Sequence, residues 1–328
     1  MVIKLSNIKN NKLYQPLVFA VKLIIFALAI YYLYTQFTHR NLDNLGDLVS
    51  EHLFQTQGIL LFTGLVLLQF VNYGLENLKW RQTLPLLKES TFLRTQKAVY
   101  AGNAVAILTP DRLGTFIGRF TYIKEIPKTT ITFSTFVGNY AQLVTTLLFA
   151  LIGLILSWNF AIGFHYPEQL PINTLIIVMT IVCCMALFIF YQQKVLLELL
   201  RKLKWKYLNN LITKLEFLGD LTELRLHTIL GIAILRYLVF IAQFHVALTL
   251  FGAEPELIWT AAFCGVLYLF STLIPSPFMG NLGTREAIAV FLVIPFGLEE
   301  TVIIASLFIW LINVVLPSII GGIILLKK

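Results

Sequence analysis

The feature that most constrains this chain is the recurrence of apolar runs about as long as a bilayer is thick. A helix needs about 20 predominantly apolar residues to cross the hydrocarbon core. Runs of that order stand at Leu17–Phe37, Gly58–Leu78, Ile131–Trp158, Pro171–Tyr191, Leu226–Phe251 and Thr301–Leu326, with shorter ones at Ile258–Ile274 and Thr284–Phe296. Only 13% of the 328 residues are charged, about half the share a soluble domain carries, and the mean hydropathy is +0.80. The pattern predicts an all-α polytopic membrane protein of about eight spans, one membrane domain over residues 1–328, and excludes a soluble globular fold. Leu17–Phe37 is too long for a signal-peptide core and lacks a convincing cleavage site, so it reads as a retained span.

The net charge of +8 calls for no nucleic-acid partner, because basic residues of membrane proteins collect in cytoplasmic loops. Lys4, Lys9 and Lys12 precede the first run, and Lys79, Arg81, Lys88, Arg94 and Lys97 follow the second. By contrast, Thr38–Gln57 holds only Arg40, and Asn159–Leu170 and Gly252–Leu257 hold no Lys or Arg. This asymmetry puts both termini in the cytoplasm, and Lys327 and Lys328 agree. Residues 194–225 mix leucines with Lys194, Arg201, Lys202, Lys204, Lys206 and Lys214. They read as a cytoplasmic amphipathic connector lying against anionic headgroups, or as an ordinary basic linker.

Two stretches break the up-and-down pattern. Ala98–Pro110 is too short to cross and has basic residues on both sides (Arg94 and Lys97 before; Arg112, Arg119, Lys124 and Lys128 after). Cytoplasmic signals at both ends predict a re-entrant segment. The second break is LIPSPFMGNLGTREA, Leu273–Ala287, between two shortened runs. LTPDRLGT (Leu108–Thr115) and PSPFMGNLGTRE (Pro275–Glu286) both carry proline, then Leu-Gly-Thr, with an arginine close by. Paired Gly/Pro interruptions in the two halves of a membrane protein point to a site built from discontinuous helices. A half-helix ending at depth leaves backbone N–H groups for an anion such as phosphate, and Arg112 or Arg285 beside it would add a bidentate clamp. The plainer readings are kinks or loop ends, with Arg285 and Glu286 a simple ion pair.

Polar stripes run along three spans. Thr135, Asn139, Gln142 and Thr146 share one helical face, as do Gln69, Asn72 and Glu76, and also Arg236 and Gln243. Each stripe either lines a hydrophilic cavity or bonds helices to one another. Arg236 lies too deep in its run to snorkel, which predicts a cavity or a partner. His245 reads as a packed histidine, and Cys183, Cys184 and Cys264 as small hydrophobes without metal-ligand spacing. There is no Walker loop, GxSxG elbow, HExxH helix or dinucleotide turn, so no catalytic residue, metal or cofactor is expected.

The two breaks resemble the signatures of the flippase-like family known as the lysylphosphatidylglycerol synthase transmembrane region. An Asn followed by Pro-x-Arg-x-Gly matches Asn103, Pro110, Arg112 and Gly114, and a Pro-x-Pro-Gly-Gly-x-Gly-x-Arg-Glu-Ala pattern matches Pro275, Pro277, Gly280, Gly283, Arg285, Glu286 and Ala287. The resemblance implies about eight spans with re-entrant elements, a bacterial inner-membrane location and a role in moving or handling lipids. In bifunctional relatives this region flips an aminoacylated phospholipid made by a fused cytoplasmic domain. The chain departs from the pattern at Thr115, where the family has glutamate, and at Gly138, Asn139 and Gln142, where it has charges. Both departures argue against proton coupling there. No aminoacyltransferase domain is expected.

The expected function is therefore transport of an anionic phospholipid or polyprenyl-phosphate headgroup. Arg112 and Arg285 would bind phosphate, and Asn103 and Asn281 would hydrogen-bond headgroup or backbone. Arg236 and Glu286 would complete the site, with Pro110, Gly114, Pro275, Pro277, Gly280 and Gly283 shaping the half-helix ends. Membrane lipids are the expected partners. The alternatives are a non-transporting subunit of a lipid- or glycan-modifying enzyme, and an enzyme built on Asp111 and Glu286.

Overall fold

The computed structural model describes residues 31, 34–35, 45–84, 90–107, 109, 113–159, 163–164, 171–202, 221–274 and 282–327. They are predominantly helical, with no strand among them. The helices are α1 (Leu45–Leu53), α2 (Thr56–Thr83), α3 (Phe92–Ala106), α4 (Gly114–Tyr122), α5 (Lys128–Asn159), α6 (Ile172–Tyr191), α7 (Gln193–Lys202), α8 (Glu223–Leu250), α9 (Leu257–Leu273), α10 (Thr284–Val293) and α11 (Glu299–Leu326). Five of them, α2, α5, α6, α8 and α11, are long and apolar enough to cross a membrane, and α9 is a shorter apolar helix. This is a multi-pass helical membrane protein. The expected first span, Leu17–Phe37, lies outside the described residues apart from three positions, as does most of the 194–225 connector beyond α7. Large apolar side chains stand exposed along α2 and α6, among them Leu60, Leu67, Phe70, Ile177, Ile181, Met185 and Phe188. So wide an apolar surface faces lipid, since water would not tolerate it.

Helix ends gather on two opposite faces. On one, Thr301 Oγ1 donates to the Phe251 carbonyl (3.4 Å) and the rings of Trp259 and Phe296 lie 5.4 Å apart. That brings together the end of α8, both ends of the α9–α10 pair and the start of α11. On the other, Arg81 near the end of α2 donates to the Ser90 carbonyl (2.7 Å) and to Thr95 (3.1 Å) at the start of α3.

The expected re-entrant segment is a helical hairpin longer than Ala98–Pro110. It leaves this second face as α3 and returns as α4. Thr91 starts it by capping α3, its side chain accepting from the Arg94 N–H. Glycines let the two backbones touch. A Cβ at Gly114 would collide with the Val105 carbonyl, and one at Gly102 would lie 2.8 Å from the Thr115 carbonyl oxygen. The same device joins α5 to α9, where Gly153 and Gly265 face each other and a Cβ on the first would meet the second's Cα at 3.0 Å. The two shorter expected spans, Ile258–Ile274 and Thr284–Phe296, fold as α9 and α10, and their Trp259 and Phe296 ends meet on the first face.

Arg94 Nη2 closes the base of the first hairpin on Glu125 Oε1 at 2.6 Å. Its hydrogen bond holds the exposed Glu125 carboxyl below the usual carboxylate range. A lowered carboxylate stabilises the fold above its ordinary pKa and loses that contribution as pH falls through the lowered one. The stability difference between the native protein and Glu125→Gln is therefore expected to shrink below roughly pH 4.3. Being exposed, the pair should also weaken with salt. Unfolding midpoints of both proteins across pH check this; a difference unchanged down to pH 2 would contradict it.

Candidate functional site

Where α2, α4, α5, α8 and α11 meet, four charged side chains come together, three of them buried. Glu76 of α2 is the only carboxylate in contact with the other three among the described residues. Its Oε1 accepts from Arg119 Nη2 of α4 (2.7 Å), and its Oε2 accepts from Lys79 Nζ one turn on (2.8 Å) and from Arg236 Nη1 of α8. Neutral polar groups complete the shell. Arg236 Nε donates to Asn72 Oδ1 (2.8 Å), while Arg236 Nη1 and Lys79 Nζ both reach Gln142 Oε1 of α5 (3.1 and 3.4 Å). Arg119 donates to Thr135 Oγ1 (3.3 Å) and lies 4.6 Å over the Trp80 ring, whose Nε1 donates to Ser134 (3.1 Å). Lys79 and Arg119 are sealed, at 0% and 2% exposed. Arg236 is the open member, its side chain 13% exposed, and Gln142 and Asn313 beside it are half-buried.

The α11 side of the site follows from one proline. Pro317 has no N–H for the carbonyl four residues back, and its ring would clash there. The helix widens into a π turn over Leu311–Val315. The Asn313 carbonyl so released accepts from Tyr73 OH at 2.8 Å. Its side chain bonds Gln243 of α8 in both directions (3.2 and 2.8 Å) and touches Asn72 at 3.5 Å. The polar stripes on α2, α5 and α8 thus converge, with Gln142, Asn72, Glu76, Arg236 and Gln243 in one network. Asn139 instead stands exposed.

The second break builds a separate, charge-balanced unit. Arg285 Nη2 donates to Glu286 Oε1 (2.9 Å) and to the Ser306 carbonyl (2.9 Å), and Arg285 Nε donates to Ser306 Oγ (3.1 Å). Ser306 Oγ in turn donates to Glu286 Oε1 (2.8 Å). Glu286 Oε2 accepts the Gly283 N–H at 2.7 Å, and Gly283 holds φ +82, the left-handed region only glycine adopts freely. Ser306 and Asn313 lie two turns apart on α11, so one helix carries both units.

The sequence-predicted residues divide accordingly. Arg236 enters the charge cluster. Arg285 and Glu286 pair with each other. Asn103 ties α3 to α11, donating to the Val314 carbonyl (3.3 Å) and to Ser318 Oγ (3.1 Å). Arg112, Asn281, Pro110, Pro275, Pro277 and Gly280 lie outside the described residues. At each half-helix start one of the N–H groups expected to be unoccupied is bonded within the protein. The Gly114 N–H donates to Thr109 Oγ1 at 2.7 Å and the Gly283 N–H to Glu286. Lys79 and Arg119, counted in sequence as loop charges, are corrected too: α2 runs on to Thr83 and α4 packs on α3, so both turn inward. Glu76 three residues before Lys79, inside an apolar run, was the available signal.

A family model described as the lysylphosphatidylglycerol synthase TM region matches residues 19–321. The chain belongs to that family. Comparison with curated proteins and with solved structures gave no match. Membership in the lysylphosphatidylglycerol synthase TM-region family links the chain to lipid-related processes at a membrane. In this member, the segment around the second signature forms the Arg285–Glu286–Ser306 unit, and the helix after the first signature carries Arg119 into the cluster.

Proposed function

We propose that this protein is a lipid transporter of flippase-like type. It passes an anionic phospholipid or polyprenyl-phosphate headgroup between leaflets of the bacterial inner membrane, with both termini in the cytoplasm and no catalytic step of its own. The observation that carries this reading is the charge cluster, in which Lys79, Arg119 and Arg236 gather around the Glu76 carboxylate among apolar helices. Arg236, the open member of the cluster, with the half-buried Gln142 and Asn313 beside it, fits an anion that comes and goes.

The test is translocation of fluorescent phosphatidylglycerol, phosphatidic acid and a lysylated analogue in proteoliposomes. Arg236→Gln is expected to cut the rate at least tenfold while leaving membrane abundance near that of the native protein. Arg112→Ala belongs in the same series as a phosphate-binding candidate. Arg285→Ala is expected to lower abundance together with rate, because it strands the buried Glu286 carboxylate at a cost of about 3–5 kcal/mol. Absence of translocation of every lipid by well-folded protein would overturn transport and favour an accessory role beside a lipid- or glycan-modifying enzyme.

A further inference from the structure

The inner face of α8 opens partway along its length. Ile229, Ala233, Arg236, Phe240, Phe244 and Ala247 follow one another three or four residues apart and so share that face. The first two and the last two are 0% exposed, yet Arg236 and Phe240 between them are only half-buried. α5 repeats the pattern, with Gln142, Thr146 and Phe149 half-buried between the buried Gly138 and Gly153. On α9, Tyr268 is half-buried, while Cys264 one turn before it and Ser271 one turn after are buried. Side chains turned towards neighbouring helices stay half-buried where those helices leave room between them. The two ends of this room differ in chemistry. At one end Arg236 uses Nε and Nη1 on Asn72, Glu76 and Gln142, and its Nη2 makes no hydrogen bond among the described residues. The other end is walled by aromatic rings. The Phe240 ring centre lies 5.5 Å from the Arg236 guanidinium and 6.1 Å from the Tyr268 ring, and Tyr237 behind them stacks on Phe149 at 4.3 Å. The Tyr268 hydroxyl makes no hydrogen bond among the described residues.

Resting on the anionic-headgroup reading above, we infer that this site takes a glycosyl phosphate headgroup, with the phosphate at Arg236 and the sugar ring against the Phe240–Tyr268 wall. The phosphate meets the Nη2 donor in a charge-assisted hydrogen bond. A pyranose ring presents a flat face of C–H bonds, which the negative face of an aromatic ring attracts. Its hydroxyls stand at the rim, where the Tyr268 hydroxyl both donates and accepts. An aromatic wall with a few converging polar groups is also the usual make-up of a small-ligand site. Other headgroup chemistries fit this room less well. An ammonium beside Arg236 needs a carboxylate, and Glu286, the carboxylate that α10 carries, is already bonded to Arg285, Ser306 and the Gly283 N–H. A glycerol has no ring face to lay on the aromatic wall.

The purified full chain in phosphatidylcholine nanodiscs is titrated calorimetrically with short-chain phosphodiesters built on the same citronellyl chain and carrying glucose, glycerol or methyl beyond the phosphate. Free glucose 1-phosphate is titrated alongside. The phosphodiesters share a single negative charge, so their differences report the group beyond the phosphate. The glucosyl compound is expected to bind at least about tenfold tighter than the methyl one, with the glyceryl compound close to the methyl. Phe240→Leu removes the ring face and keeps an apolar side chain, and Tyr268→Phe removes only the hydroxyl. Each should lower affinity for the glucosyl compound by about two- to tenfold and narrow its lead over the methyl compound. Arg236→Gln should weaken all the phosphodiesters together. If Phe240→Leu does not fold, Tyr268→Phe decides alone. Equal binding of the glucosyl and methyl compounds, or of the glucosyl and glyceryl compounds, overturns the sugar and leaves the anionic-headgroup reading standing. A lead kept in full by both ring variants overturns the wall as the seat of the sugar. Binding of no phosphodiester overturns both readings. Glucose 1-phosphate binding as tightly as the glucosyl compound overturns a lipid as the source of the headgroup.

Discussion

Glu76→Ala is expected to be the most destabilising single substitution in this protein, lowering the unfolding midpoint in detergent by about 10 °C or preventing accumulation in the membrane altogether. The carboxylate holds three cations drawn from three helices, and Lys79 and Arg119 have no route to water. Breaking a buried ion pair costs about 3–5 kcal/mol because the surviving charge loses its partner; here one truncation takes the carboxylate from three cations at once. Stability measured by fluorescence-detected gel filtration after heating checks the size of the loss. The companion is the double variant Glu76→Ala with Lys79→Met, which removes the fully buried lysine charge as well and should recover part of it. A Glu76→Ala protein as stable as the native one would mean that the carboxylate does not hold the bundle together.

The second large effect belongs to a residue with no side chain. Gly118→Val is expected to separate α3 from α4. A Cβ at Gly118 would lie 2.5 Å from the carbonyl carbon of Ala101 and from the Cα of Gly102, and would collide with the Ala101 oxygen. These are backbone atoms of a packed helix and cannot swing aside. Overpacking ordinarily costs about 1–3 kcal/mol, and a β-branched side chain against backbone belongs at or beyond the top of that range. Arg119 follows directly in sequence, and its stem packs 3.2 Å from where a Gly102 Cβ would stand. Displacing α4 therefore draws Arg119 off Glu76 and Trp80. Two readouts should move together, a lower unfolding midpoint and an altered Trp80 emission. A midpoint shift with unchanged Trp80 emission would show that the hairpin opens without disturbing the cluster.

Much of the architecture was legible because its cause is local. Length and apolarity identify a spanning helix wherever it is placed, so α2, α5, α6, α8 and α11 could be read from the runs themselves. The hairpin at α3–α4 was legible from basic residues on both flanks of a short apolar stretch. The motif arginines drew attention for the same local reason, since they stand beside Gly/Pro breaks. Yet Arg285 is consumed by Glu286 and Ser306, and the cluster rests on Lys79 and Arg119, which a reading of loop charge had counted as cytoplasmic. Asn313 gave a sequence signal only through Pro317 four residues on, whose effect on a carbonyl becomes meaningful once Tyr73 stands opposite.

What the sequence determined alone is therefore a membrane protein with many helices, its broken segments and the family it belongs to, because hydropathy, helix breaking and signature spacing act within one segment. What only the tertiary structure decided is which charges meet. Glu76, Arg119, Arg236 and Gln142 come from four helices, as much as 160 residues apart. Whether a buried cation is balanced or in surplus depends on partners that no single segment contains.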